Sequence, residues 1–384
     1  MEPKLPYFYA LDCVRFGAAL AVAFFHLGFY AWAADTSPLD PMFRHVTTFH
    51  ALAPVSWFGW VGVEVFFVLS GFVIANSANG ATPLSFLKGR ILRLYPAVWI
   101  CATISLLAIL NIGQVQMSQL LVRYIHAIGL WPTGDWIDAV YWTLAVEITF
   151  YALVFLLLAS GHFSRLTYLA WAITLVNALY FVTIQTELFP RGGWVYYHSS
   201  TFLLRHGSVF AVGIWMWLTS RRLMKFSDWF GLAFASLVAS LAIWDQSHFS
   251  LGVTMGYWVG WPIALWGAVV LAQFAFTRWP EKFTPAKMRS RKILREIGKS
   301  TYPLYLIHAM VGSGLIRVYI EWGLRPFAAF PAALLTVVAA ALVISLYFEP
   351  KLRRLLAWAL DFIEARIARI PLLGFVLRPG GAIG

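Results

Sequence analysis

Charge is scarce in this sequence. Only 12% of its 384 residues are Asp, Glu, Lys or Arg, against about 25% in an ordinary soluble domain. With 60% of the chain apolar, that shortage excludes the two or three soluble domains that length alone would suggest. Cysteine is nearly absent. Cys13 and Cys101 both fall inside apolar runs, so a disulfide framework is not expected and each should pack as a small apolar side chain. An internal repeat, a low-complexity tract and a cleaved signal peptide are also missing. The first apolar run is too long and has no small-residue cleavage site. No metal-binding set is read among the nine histidines. Acidic residues are outnumbered 17 to 29 by basic ones, a formal net charge of +12. In a soluble chain that surplus would raise nucleic acid as a partner; here none is expected, because the positions of the charges carry a different message.

What the chain has in abundance is apolar runs of about twenty residues, each long enough to cross a bilayer as a helix. Ten spans are predicted, at roughly 10–33, 57–77, 94–112, 140–160, 166–186, 199–219, 228–245, 254–276, 301–320 and 328–348. The expected fold is an all-α integral membrane bundle of about ten transmembrane helices. An even number puts both termini on one side, and that side collects 23 of the 29 basic residues. The other six are Arg44, Arg123, Arg191, Arg205, Arg317 and Arg325. Positive residues gather on the cytoplasmic face, so both termini are expected to be cytoplasmic. The segment 278–299, with eight basic and two acidic residues, reads as the longest cytoplasmic loop. After Lys351, "LRRLLAWALDFIEARIARI" alternates apolar and charged positions at helical spacing. It predicts an amphipathic helix on the inner surface, in contact with membrane lipid. The expected division is a transmembrane domain over 1–350 and a cytoplasmic amphipathic tail over 351–384.

Against this background the polar residues inside the spans stand out, because an ionisable group within a bilayer is costly and usually faces a cavity or a partner. In "VRFGAALAVAFFHLGFYAW", Arg15 and His26 are eleven residues apart. That places them on one helix face, about 16 Å apart along the axis. The second span, "GWVGVEVFFVLSGFVIANSA", holds Glu64, and its Gly59, Gly62 and Gly71 permit close helix approach. In "FLKGRILRLYP", Arg90 and Arg93 share a helical face with Lys88 nearby. Such a cluster suits a polyanion such as a phosphate group. "YWTLAVEITFYAL" carries Glu147, and the predicted topology puts it at a depth comparable with Glu64 and His26, so three polar groups on three helices can meet at one depth. Trp142, Tyr141 and Tyr151 read as interface anchors or as walls of a sugar-sized cavity. "KSTYPLYLIHAM" opens the ninth span with Tyr302, Tyr305 and His308, and Glu349 closes the tenth. Two functions fit this pattern. One is a membrane enzyme with an anionic donor from the cytosol and an acceptor from the other face. The other is a proton-coupled transporter or flippase of a polar envelope substrate, because His and Glu relays serve pumps.

Six motifs decide between them. Arg15-x10-His26, "GVEVFFVLSGF" at 62–72, "RILRLYP" at 90–96, "WTLAVEITFY" at 142–151, "STYPLYLIH" at 300–308 and "FEP" at 348–350 occur in order over nearly the whole chain. Together they resemble the acyltransferase-3 family of integral membrane acyltransferases. The chain ends soon after its tenth span and looks like the stand-alone form, without a fused esterase-like domain. Two positions depart from the family pattern while keeping the functional group: Glu64 where Asp is frequent, and Thr143 where Ser is frequent. The resemblance implies a multi-pass protein of the bacterial cytoplasmic (inner) membrane. It implies O-acyl transfer, usually of acetyl, from acetyl-CoA or another acyl-CoA to a hydroxyl of a carbohydrate or glycolipid acceptor, without a metal. Under it His26 is expected to act as general base or transient acyl carrier, oriented by Glu64 or Glu147. Arg15 binds donor phosphates or stabilises charge on the carbonyl oxygen. Arg90, Arg93 and Lys88 hold the phosphates of coenzyme A, with Tyr302 and His308 on the donor side. Trp142 and Tyr151 line the acceptor site.

Overall fold

The structure, a computed structural model, describes residues 7–34, 46–111, 116–188, 194–221, 225–248 and 250–367. Lys4, Arg44, Arg191 and Arg222 of the charge count lie outside the described residues, as does the tail from 368 on with Arg369 and Arg378. Among the described residues every regular element is helical. In chain order the longer helices are α1 (Tyr9–Ala33), α2 (Ala53–Ala78), α3 (Pro83–Leu110), α4 (Met117–Gly129), α5 (Ala139–Ala159), α6 (Phe163–Gln185), α7 (Gly207–Arg221), α8 (Phe226–His248), α9 (Gly260–Arg278), α10 (Met288–Ile307), α11 (Met310–Glu321) and α12 (Pro326–Arg366). Eight of them are long and apolar enough to cross a membrane, or nine if α10 and α11, bent by 75° at their junction, form one broken span.

Eight or nine such helices are found among the described residues where about ten spans are expected, and the sixth predicted span is not among them. The sixth predicted span, 199–219, is helical only from Gly207, so α7 has 15 residues, about 22 Å of rise. Residues 199–206 form turns instead, and they deliver Arg205 and His206 to the head of α7. The helix is interior. Thirteen of its residues are buried, so it meets protein rather than lipid along its length. Its closest neighbour is α2, the most enclosed span, with 78% of its apolar window buried against 33–44% for the others. The two backbones touch at paired glycines. A Cβ on Gly71 would lie 2.1 Å from the Phe210 carbonyl oxygen, and one on Gly213 would lie 2.0 Å from that of Val68. Between lipid-embedded helices such close approach replaces the hydrophobic effect as the source of association.

Other differences follow from capping. α3 starts eleven residues before the predicted third span because Thr82 and Ser85 form a reciprocal capping box with Pro83 in the first turn. Lys88, Arg90 and Arg93 therefore lie on the helix, not at its edge. α4, amphipathic and not predicted, is tied to α3 by Trp99 Nε1 donating to the Ile128 carbonyl at 3.0 Å. At the other end of the chain the tail helix does not break from the tenth span. α12 runs 41 residues, with a π-turn at Ile344–Phe348. Its far end is fastened to α3 by Lys88, which pairs with Asp361 and, at 2.6 Å, with Glu364.

Candidate active site

α1 contributes to two cavities. One, of about 110 Å³, is lined by Arg15, Arg90, Arg93, Glu147, Tyr151 and Tyr302. The other, of about 470 Å³, is lined by His26, Trp57, Trp60, Glu64, Trp142 and Arg205 among others. Val63 and Tyr305 line both, so these two side chains belong to the wall between them. The larger cavity falls within the range of about 300–1,000 Å³ typical of ligand sites.

The arginine cavity is strongly cationic. Arg15 reaches Asp12 at 3.3 Å, and Asp12 also accepts from the Tyr7 hydroxyl at 2.6 Å. The Arg90 guanidinium lies 5.6 Å from the Phe86 ring and 5.7 Å from that of Tyr151. Arg93 lies 5.2 Å from the Tyr302 ring. Glu147 accepts from the Ser70 hydroxyl at 2.7 Å. Two buried donors, Arg90 Nε and the Tyr302 hydroxyl, have no hydrogen-bond partner among the described residues. A buried polar group left alone costs about 1–3 kcal/mol, and guanidiniums held over ring faces keep their forked donors free. The arrangement is ready for an anion.

At the aromatic cavity the chemistry centres on two imidazoles. His308 Nδ1 lies 2.7 Å from the Tyr305 carbonyl, and its Nε2 lies 3.0 Å from His26 Nδ1. His26 Nδ1 is also 3.1 Å from the Val22 carbonyl. A carbonyl only accepts, so His308 must donate from Nδ1, and neutral His308 then accepts at Nε2. His26 must in turn donate from Nδ1 to His308 and Val22. Its proton is thereby assigned, and its Nε2 keeps the lone pair. That nitrogen has no hydrogen-bond partner among the described residues, and His26 lines the cavity. The ring begins a π-turn, His26–Tyr30. Such a turn widens the helix by one residue and recurs at functional sites.

Several sequence expectations need correcting. Glu64 and His26 line the same cavity while Glu147 does not, and neither carboxylate is hydrogen-bonded to the His26 ring among the described residues. Glu64 is buried against His206, with Nδ1 to Oε1 at 3.2 Å, and Glu147 belongs to the arginine cavity. The partner of His26 is His308, which joins the imidazole pair rather than the cationic cluster. Tyr151 faces Arg90, not the cavity of Trp142. Lys88 does not line the arginine cavity; its ammonium is held by the tail carboxylates. Arg15, Arg90, Arg93 and Tyr302 are brought together, and Trp142 lies with His26.

Sequence reasoning missed three groups. Arg205 and His206 are adjacent ionisable residues at the head of an apolar run, a signal in itself. Asp138, fully buried, accepts from the backbone N–H of Met310 at 3.0 Å and of Val140 at 3.2 Å. It satisfies one orphan donor at the start of α11 and so fixes the bend beside His308. Cys13 and Cys101 are free.

A family model described as an acyltransferase domain, Acyl_transf_3, matches residues 8–346, nearly the whole chain. Nodulation protein 10 of Rhizobium leguminosarum bv. viciae is 28% identical over 167 residues. That match covers 36% of this chain and 41% of the relative, so the chain spans less than half of that protein's length. No solved structure matches.

Proposed function

The chain belongs to the acyltransferase-3 family, and from that premise we propose that it moves an acyl group, acetyl by preference, from cytosolic acyl-CoA to a hydroxyl of an envelope or exported carbohydrate. The observation that carries this reading is the pair of cavities divided by Val63 and Tyr305. A cationic slot suits the phosphate-bearing, narrow arm of coenzyme A. An aromatic chamber with a free imidazole nitrogen suits a sugar hydroxyl. The bias of basic residues toward one side supports cytoplasmic termini, and the reading takes the membrane to be a bacterial inner membrane. The arginine cavity then opens toward the cytosol, and the aromatic cavity toward the other face. The transmembrane domain ends near 350, and the helix beyond it is a cytoplasmic appendage.

The chemistry follows from the two sites. Arg90 and Arg93 hold the donor's phosphates, with Arg15 deeper in the slot and Tyr302 beside it. The thioester reaches the wall, where the Thr143 hydroxyl donates to the Val140 carbonyl at 2.9 Å and lies 3.1 Å from the Tyr305 hydroxyl. The Tyr305 hydroxyl, whose own contact with the Val140 carbonyl is a long 3.4 Å, is the donor of the wall that turns to the carbonyl oxygen and stabilises its charge. His26 Nε2 takes the proton from the acceptor hydroxyl as its oxygen bonds to the carbonyl carbon. The tetrahedral intermediate collapses by breaking the C–S bond, and the imidazolium returns the proton to the thiolate. The products are an O-acyl ester and free coenzyme A. Positioned bases contribute about 10²–10⁴-fold in such steps.

Acetyl-CoA labelled on the acetyl group, supplied to membranes containing the protein, tests this reading. Label should enter the carbohydrate or glycolipid fraction with the wild type and fall at least a hundredfold with His26→Ala. Equal labelling by the variant would remove His26 from the reaction. Intact thioester with a folded wild type and several acceptor preparations would point instead to substrate movement without chemistry.

A further inference from the structure

The aromatic cavity is rich in donors and poor in free acceptors. Trp57 Nε1 and Trp60 Nε1 are buried indole N–H groups without a hydrogen-bond partner among the described residues, and both residues line the cavity. Arg205 lines it as well. Its guanidinium lies 5.2 Å from the Tyr196 ring and, among the described residues, makes only a long hydrogen bond of 3.5 Å, to the Tyr196 hydroxyl. No carboxylate lies within 4 Å of it among the described residues. The carboxylates nearby are engaged elsewhere. Glu64 is paired with His206, whose other nitrogen lies 3.2 Å from Ser200 Oγ. Asp245, which shares a smaller crevice with Arg205, accepts from Gln185 at 2.7 Å. A half-buried guanidinium without a counter-ion is electrostatically incomplete, and one laid on an aromatic ring keeps its forked donor edge for a planar anion.

From this geometry we propose that the aromatic cavity selects a negatively charged glycan, with a carboxylate or phosphate of the acceptor bound by Arg205 and its sugar rings packed against Trp57, Trp60 and Trp142. The inference rests on reading this cavity as the acceptor site, and it adds the charge of the acceptor. Binding to purified protein tests it without any acyl donor. Tetragalacturonate would be compared with its methyl ester, and maltotetraose 1-phosphate with maltotetraose, on wild type, Arg205→Gln and Arg205→Lys. At least one charged probe should bind the wild type tenfold or more tightly than its neutral counterpart. Arg205→Gln should erase that difference while leaving the neutral probes within twofold, and Arg205→Lys should restore part of it. Which charged probe prevails identifies the anion. Equal binding of charged and neutral probes, or a preference that survives in Arg205→Gln, would overturn the proposal. Acyl transfer is scored separately. Charge-selective binding without transfer would uphold this inference and sink the enzymatic reading. Transfer with no preference for charge would do the reverse.

Discussion

His26 has two ring nitrogens, and its neighbours decide which one is free. The Tyr305 carbonyl fixes the proton of His308, and His308 with the Val22 carbonyl fixes that of His26. His308 is thus a positioning residue, acting through His26. His308→Leu should lower kcat at least tenfold while leaving the KM for acyl-CoA within twofold, and His308→Gln, which retains an acceptor, should recover part of the loss. A parallel rise in KM would place His308 at the donor instead. The rate should fall at low pH, because protonated Nε2 cannot accept the hydroxyl proton, and His26→Ala should lose that acid limb. The donor side has its own signature. Arg90→Ala should raise the KM for acyl-CoA tenfold or more with a smaller change in kcat; an unchanged KM would remove Arg90 from the phosphate site.

Helices were the legible part of the sequence, and their contacts were not. Apolar runs announce where α1, α5, α6 and α8 lie to within a few residues, because length and hydropathy alone set a span. Which polar groups meet depends on helix rotation, on the π-turn at His26–Tyr30 and on the bend between α10 and α11. None of these has a hydropathy signature. That is why Glu64 was expected beside His26 and is found beside His206, while Gly71, read as a site of close approach, touches the Phe210 backbone. Gly213→Val would drive a side chain into the Val68 carbonyl, and overpacking of this kind costs about 1–3 kcal/mol or more. Its expected outcome is a clear drop in the melting temperature of the purified protein, or loss of monodisperse material. Asp138→Leu leaves the Met310 N–H buried without its acceptor. It should destabilise the bend by about 1–3 kcal/mol and lower activity together with stability.

For the molecule as a whole, α1 is one of the helices that line both cavities, with Arg15 at one and His26 at the other. The long α12 closes back on α3 through Lys88, Asp361 and Glu364. Exposed ion pairs contribute only about 0–1 kcal/mol. Lys88→Ala should therefore leave the melting temperature nearly unchanged, raise protease cleavage within 349–367 and alter the KM for acyl-CoA far less than Arg90→Ala. A loss matching that of Arg90→Ala would return Lys88 to the donor site.

The central claim is that the acyl group passes between two compartments through the Val63–Tyr305 wall. Sealed vesicles of one protein orientation measure it directly, with labelled acetyl-CoA confined to one side and the glycan acceptor to the other. The account predicts labelled glycan only when acetyl-CoA is on the side of the arginine cavity and the glycan on the side of the aromatic cavity. Equal labelling with donor and acceptor on the same side would contradict it.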